Sequence, residues 1–175
     1  MSSFTNVIFD EIKIGQSLTV SRTLSRTDIE SLTLVSGDID EAHIEQELGP
    51  EHIPSSEPVA AEALFSYMLN RRLPGPGTII LSHNLTFRGR IAMGDTLAVT
   101  VTAKEKRAES NEIVFDCRCT NQTGEVIASG TATVVAPVQR ISYTDLATPE
   151  VIFRGPTSSP ASSRPVRDWH QWSAP

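Results

Sequence analysis

The spacing of hydrophobic positions changes character along this chain. Over residues 8–24 a turn at Ile14-Gly15-Gln16 leads into Leu18, Val20 and Leu24, an alternation that predicts an entry strand. Thr27 with Glu30 three residues later has capping-box spacing, so a short helix is predicted over 28–34. Ile29, Leu32 and Thr33 give it an apolar face, and Ser36-Gly37 ends it. Residues 44–56 show no period and are broken by Gly49-Pro50 and Pro54. A longer helix is then predicted from about Glu57 to Arg71, where Val59, Ala60, Ala63, Leu64, Tyr67 and Met68 recur at helical spacing. Pro58 suits its first turn, where a missing N–H leaves no helical bond unmade. Leu73-Pro74-Gly75-Pro76-Gly77 stops it, and its alanine content implies a close approach by whatever packs against it.

Beyond residue 77 the period drops to two. Strands are predicted at 78–88, 96–106, 112–120 and 125–135, joined by turns such as Met93-Gly94-Asp95 and Asn121-Gln122-Thr123-Gly124. The expected fold class is α+β: an antiparallel meander, long and curved, around one central helix. From about Gln139 the pattern fades, and residues 154–175 are dense in Pro and Ser. The expected organisation is one folded domain over 1–138 and an extension over 139–175 ending in a disordered tail, in which Trp169 and Trp172 are unusual.

With 175 residues, 39% of them hydrophobic and 21% charged, the chain has enough material for one domain with a core. Its net charge of −6 argues against nucleic acid as a partner. An anionic ligand would need a local basic patch, for which Arg71, Arg72, Arg88, Arg90, Lys104, Lys106 and Arg107 are candidates beside the plainer reading of solvated surface charge. No apolar run is long enough for a membrane span, and the first residues lack the basic start and apolar stretch of a signal peptide. Cys117 and Cys119 lie two apart in a predicted strand, poorly placed to bridge each other, so they read as small apolar residues in a reducing cytoplasm.

The stretch Ser36-Gly37-Asp38-Ile39-Asp40-Glu41-Ala42-His43 carries the candidate chemistry. Asp38 and His43 place a carboxylate and an imidazole in one Gly-containing turn, a pair able to hold and activate a water molecule without a metal. Each also has a plainer reading, Asp38 as a turn residue and His43 as a loop histidine. His52, His83 and His170 stand apart from that stretch. No CxxC, HExxH, P-loop or GxSxG motif is present.

RTDIE, SGD, LPGPGTI, LTFRGRIAMGDTL and VTAKEKR, followed by DCRCTNQTGEV, occur in that order between about Phe9 and Pro137. In these stretches the chain resembles the MaoC-like (R)-specific enoyl-CoA hydratases, which have a hot-dog fold. It is most similar to the hydratase-like N-terminal segment found fused to phosphate acetyl/butyryl transferases, with no transferase-like sequence following. The resemblance implies addition of water to a trans-2-enoyl-CoA to give (R)-3-hydroxyacyl-CoA. It implies no cofactor, since coenzyme A is part of the substrate, and a homodimer. Asp38 and His43 match the catalytic positions of the family signature, while Asp40 and Glu41 replace its usual Asn and Pro. Where the family has His-Gly at the start of the central helix, this chain has Glu57-Pro58. The Gly N–H that polarises the thioester oxygen has no counterpart on Pro58, so the role passes to a neighbour such as Val59. The family's acyl-pocket positions fall on Ser66 and Leu69, and Phe65, Tyr67 and Met68 are placed to cap a pocket for short to medium chains. Two other functions belong to the same fold: an acyl-CoA-binding protein without turnover, and an acyl-CoA thioesterase.

Overall fold

The computed structural model describes residues 3–25, 27–28, 31–32, 56–91 and 94–144. Seven strands and one long helix make up this part: β1 (Ser3–Thr5), β2 (Ser17–Thr23), α1 (Ser56–Arg71), β3 (Ile79–Phe87), β4 (Thr96–Arg107), β5 (Glu112–Thr120), β6 (Val126–Val135) and β7 (Ser142–Thr144). The helix and the four long strands fall within a residue or two of their expected bounds, because both periods are local properties of the chain.

The strand order was not local. β2, β4, β5, β6 and β3 form one antiparallel sheet in that order, so β3 is paired with β6 and not with β4, its successor in the chain. The expected meander therefore holds only for β4-β5-β6, and β2 and β3 form the two edges. Gly130 on β6 allows β3 to sit this close: a Cβ there would lie 2.0 Å from the carbonyl oxygen of Asn84.

α1 lies across one face of the sheet, chiefly over β4, with β3 and β6 alongside. The residues it buries, Phe65, Met68 and Leu69, meet a layer formed by Leu97, Val99 and Val101 of β4, Ile113 and Phe115 of β5 and Val134 of β6. On β5 burial alternates strictly, with Ile113, Phe115, Cys117 and Cys119 inside and Asp116 and Arg118 outside. Both cysteines are free, and burial pushes their thiols up, to about 12 for Cys117 and about 11 for Cys119. They are packing residues with no nucleophilic character.

The entry segment is a strand only where Leu18 and Val20 alternate, after the expected turn. Phe9–Glu11 is a 3₁₀ turn, and only Ser17–Thr23 pairs with β4. β1 and β7 escaped the pattern altogether. They pair antiparallel, Ser3 opposite Thr144, so Ser142–Thr144, beyond the expected domain end at 138, is part of the fold. Asn6 joins this small sheet to the body. Only 2% exposed, it donates through Nδ2 to the carbonyls of Pro76 (2.9 Å) and Gln139 (2.8 Å) and accepts at Oδ1 from Ile141 N–H (3.0 Å). Both donors and one of the two acceptor sites of its amide are thereby used in a buried setting. Gly75, at φ +98°, lets the loop after α1 run within van der Waals contact of Asn6.

Candidate active site

Asp38 and His43 lie outside the described residues, as do Asp40, Glu41, His52 and His170. What the structure describes is the surface beside the start of α1 and along its length.

α1 begins at Ser56. The amide N–H groups at the first positions of a helix have no partner within it, and they carry the positive end of the helix dipole. In this helix those donors are the amides of residues 56 and 57; Pro58 supplies none. Val59 follows as the fourth residue, where the helical bonding ladder begins. The helix start thus keeps the unbonded amides of residues 56 and 57 although the expected Gly is absent, with Val59 as the first amide after Pro58.

The entry to this region is shaped by a cap that the sequence reading placed two residues late. Ser25, not Thr27, is the capping residue. Its hydroxyl accepts from Asp28 N–H (3.2 Å), and the Asp28 carboxylate accepts from the Ser25 N–H (2.9 Å) and hydroxyl (2.8 Å). Thr27 is already helical. Ser25-x-x-Asp28 has the same spacing as the Thr27–Glu30 pair, with Asp in place of Glu, so it was legible in principle. Arg22 of β2 pairs with the same carboxylate. Partial burial of Asp28 acts to raise its pKa, but the Ser25 hydrogen bonds and the Arg22 guanidinium outweigh it and hold the carboxyl below the ordinary value of 3.8.

Between β2, this capped turn and α1 lies a cleft of about 450 Å³. Its apolar lining comes from Val20 and Leu24, from Leu32, and from Ala60, Ala63, Leu64 and Tyr67 of α1. Ser21, Arg22, Asp28 and Ser31 form its polar part.

The opposite flank of α1 faces β3. There Glu62 Oε1 lies 3.5 Å from Nδ1 of His83, whose side chain is only 10% exposed. His83 therefore faces the helix, a point its strand position left open. Its Nε2 is buried with no hydrogen-bond partner among the described residues. Ser66 follows Glu62 by one helical turn and is half-buried, while Leu69 is fully buried in the core. Of the expected capping residues, Phe65 and Met68 are also core, and Tyr67 alone reaches a cleft. The Glu62–His83 pair had no sequence signal, since its members belong to different elements.

Most of the basic candidates are engaged. Lys106 donates to the carbonyls of Phe9 (2.7 Å) and Ile12 (2.8 Å), Lys104 pairs with Asp116, and Arg107 bridges Glu105 and Glu112. Arg71 stacks on Tyr143 and Arg72 on Phe4. Arg88 and Arg90, at the end of β3, are exposed and make no ion pair among the described residues. No group of His, Cys, Asp and Glu there is arranged to hold a metal ion, and no helix there is long and apolar enough to cross a membrane.

A long helix lying on a five-stranded antiparallel sheet defines a hot-dog protein. The unliganded R-hydratase PhaJ1 of Pseudomonas aeruginosa superimposes with a TM-score of 0.79 at 26% identity, over 87% of this chain and 100% of that one. The chain is 31% identical over 134 residues to the (R)-specific enoyl-CoA hydratase of Rhodospirillum rubrum, covering 75% of this chain and 92% of the relative. It is 27% identical over 137 residues to the 3-hydroxybutyryl-CoA dehydratase of Methylorubrum extorquens, covering 74% and 83%. No family model matches the chain. The chain belongs to the MaoC-like (R)-specific enoyl-CoA hydratase family.

Proposed function

We propose that this protein is a hydro-lyase that adds water to a trans-2-enoyl-CoA, giving the (R)-3-hydroxyacyl-CoA. The observation that carries this reading is the 31% identity to a hydratase across three quarters of the chain, a span that contains most of the folded part. Asp38 and His43 together bind the water. One removes its proton as the oxygen bonds to C3, and the C2=C3 electron pair shifts toward the thioester oxygen. The proton then returns to C2 as the enolate collapses. General base and acid help of this kind is worth about 10²–10⁴-fold. The negative charge that builds on the thioester oxygen is met by the amides at the start of α1, with Val59 as the first donor after Pro58; one such donor is worth about 10²–10³-fold. Ser66 and Leu69 lie beside and beneath the acyl group. Arg88 and Arg90 are the basic side chains open to the phosphates of coenzyme A. The reaction as written needs no cofactor.

The protein acts as a homodimer on this reading. Among the described residues β3 is a sheet edge, and it exposes Ile79 (61%), Leu81 (52%) and Phe87 (38%), a surface that a second copy would cover. A cytoplasmic setting goes with two free, buried thiols.

A second reading, an acyl-CoA-binding protein without turnover, is favoured by Pro58 at the position of the family's donor. One experiment separates the two. Hydration of crotonyl-CoA is followed through loss of the enoyl-thioester absorbance for the wild type, Asp38→Asn and His43→Ala. Turnover by the wild type that falls at least about 10²-fold in both variants fits the hydratase. A wild type that binds the thioester without consuming it is the silent binder, and release of free thiol marks a thioesterase.

A further inference from the structure

The cleft on the β2 flank of α1 is not used by the chemistry above. Its volume is about 450 Å³, and its walls leave apolar surface uncovered: Val20, Leu32 and Leu64 are half-buried, Ala63 and Tyr67 exposed. Most polar atoms of its lining are committed to one another. Arg22 is paired with Asp28, whose carboxylate also takes both Ser25 donors, and Ser31 Oγ donates to the Thr27 carbonyl (2.7 Å). The Tyr67 hydroxyl accepts from Arg72 Nε (2.9 Å). The Ser21 hydroxyl makes no hydrogen bond among the described residues. An occupant suited to this lining is apolar and brings few polar groups that need partners. An indole is such a group, with a large apolar ring and a single N–H donor.

The chain carries two indoles of its own. Its only tryptophans, Trp169 and Trp172, stand three apart beyond the Pro- and Ser-dense stretch, outside the described residues, and the hydration chemistry gives them no role. Residues 154–175 carry Arg154, Arg164 and Arg167 against Asp168 alone, on a chain whose net charge is −6, so this stretch is attracted to the rest of the molecule. The place where the fold releases the chain also suits. β7 ends at Thr144, and the ring of Tyr143 lies 5.7 Å from that of Phe4. Phe4 is stacked with Arg72 at 3.9 Å, and Arg72 in turn holds the hydroxyl of Tyr67 on the cleft wall. Three side-chain contacts thus lead from the end of β7 to the cleft. Residues 145–168 separate Thr144 from Trp169, and a flexible stretch of that length spans roughly 25–30 Å. Tethering of this kind gives an effective concentration of about a millimolar, so a contact of only millimolar affinity is already populated.

We propose that the Trp169–Trp172 segment of the same chain docks in the β2 cleft, its indoles covering Val20, Leu32, Ala63, Leu64 and Tyr67 and the Ser21 hydroxyl accepting one indole N–H. This inference draws nothing from the hydratase reading. Because the chain has no other tryptophan, the indole emission of the full chain reports on these two residues alone. Emission maximum and acrylamide quenching are measured for the wild type, native and in urea, and for Ala63→Glu and Ser21→Phe. These two positions are exposed, one on the α1 wall of the cleft and one on the β2 wall, so the fold tolerates both changes; circular dichroism checks this, and should one variant not fold, the other decides. The native wild type is expected to emit to the blue of the unfolded chain and to resist the quencher. Each folded variant is expected to lose that shift and that protection. Native emission that coincides with the emission in urea overturns the proposal. So does a blue shift that survives in a folded cleft variant, since the rings then lie elsewhere. A shift that grows with protein concentration overturns it too, because the rings are then held by a second copy.

Discussion

The two ends of α1 are built from different materials. Its C-terminal half carries Phe65, Met68 and Leu69, all at most 1% exposed. In its last turn the carbonyls of Met68 and Leu69 accept from the N–H groups of Arg72, Leu73 and Gly75, and that of Arg71 from the Tyr143 hydroxyl. Arg71 and Arg72 then lie over the rings of Tyr143 and Phe4, at 5.0 and 3.9 Å from their centroids. Among the described side chains the N-terminal half buries only Ala60 and Ala61, and a cleft lies beside Ala63. Burying a large apolar side chain contributes about 1.5–3 kcal/mol, and an alanine far less. One helix therefore serves two purposes by dividing its length. Bulky residues fix its position where no chemistry is placed, and small ones leave room where a ligand is expected.

The division is broken or sharpened by substitution. Phe65→Ala is expected to cost about 3–5 kcal/mol of unfolding free energy in urea titration. A loss below about 1 kcal/mol would mean that the C-terminal half is not the anchor. Asn6→Ala, which strands the Ile141 N–H and two carbonyl acceptors behind that half, is expected to cost about 2–3 kcal/mol by the same measurement. At the other end Ser25→Ala removes the cap beside the cleft and is expected to cost about 1 kcal/mol, seen as a small drop in Tm.

The smallest effect depends on pH. Asp28 has a lowered pKa in the folded protein, so its contribution to stability is fully present above the ordinary value of 3.8 and is lost as pH falls through the folded value. The stability difference between wild type and Asp28→Asn should therefore shrink as pH is lowered below 3.8. A difference that grows on acidification would contradict the hydrogen bonding assigned to this carboxylate.

How much of this was legible follows from where each signal resides. β5 could be read from Ile113 to Cys119 because strand alternation is written in adjacent residues. The placement of β3 beside β6 could not, since it depends on pairings such as Leu85 with Gly130 that no local pattern records. Asn6 looks like any polar residue near a chain start, yet its partners stand 70, 133 and 135 positions away. The candidate pair Asp38 and His43, outside the described residues, was legible only through the family's Asp-to-His spacing. The β2 cleft was not legible: the alanines of α1 implied a close neighbour, which holds for buried Ala60 and Ala61, whereas Ala63 is exposed beside a space bounded by Val20, Leu24 and Leu32 from distant parts of the chain.

The β1–β7 pairing has a consequence for how this fold can be rewired. Ser3 and Thr144 are paired neighbours in a two-stranded sheet at the C-terminal end of α1, away from the cleft. A short linker from Thr144 back to Ser3 would close the part between them into a ring. New ends opened in the exposed turn at Gln122-Thr123-Gly124 would then give a circular permutant in which every strand keeps its partner and the cleft keeps its walls.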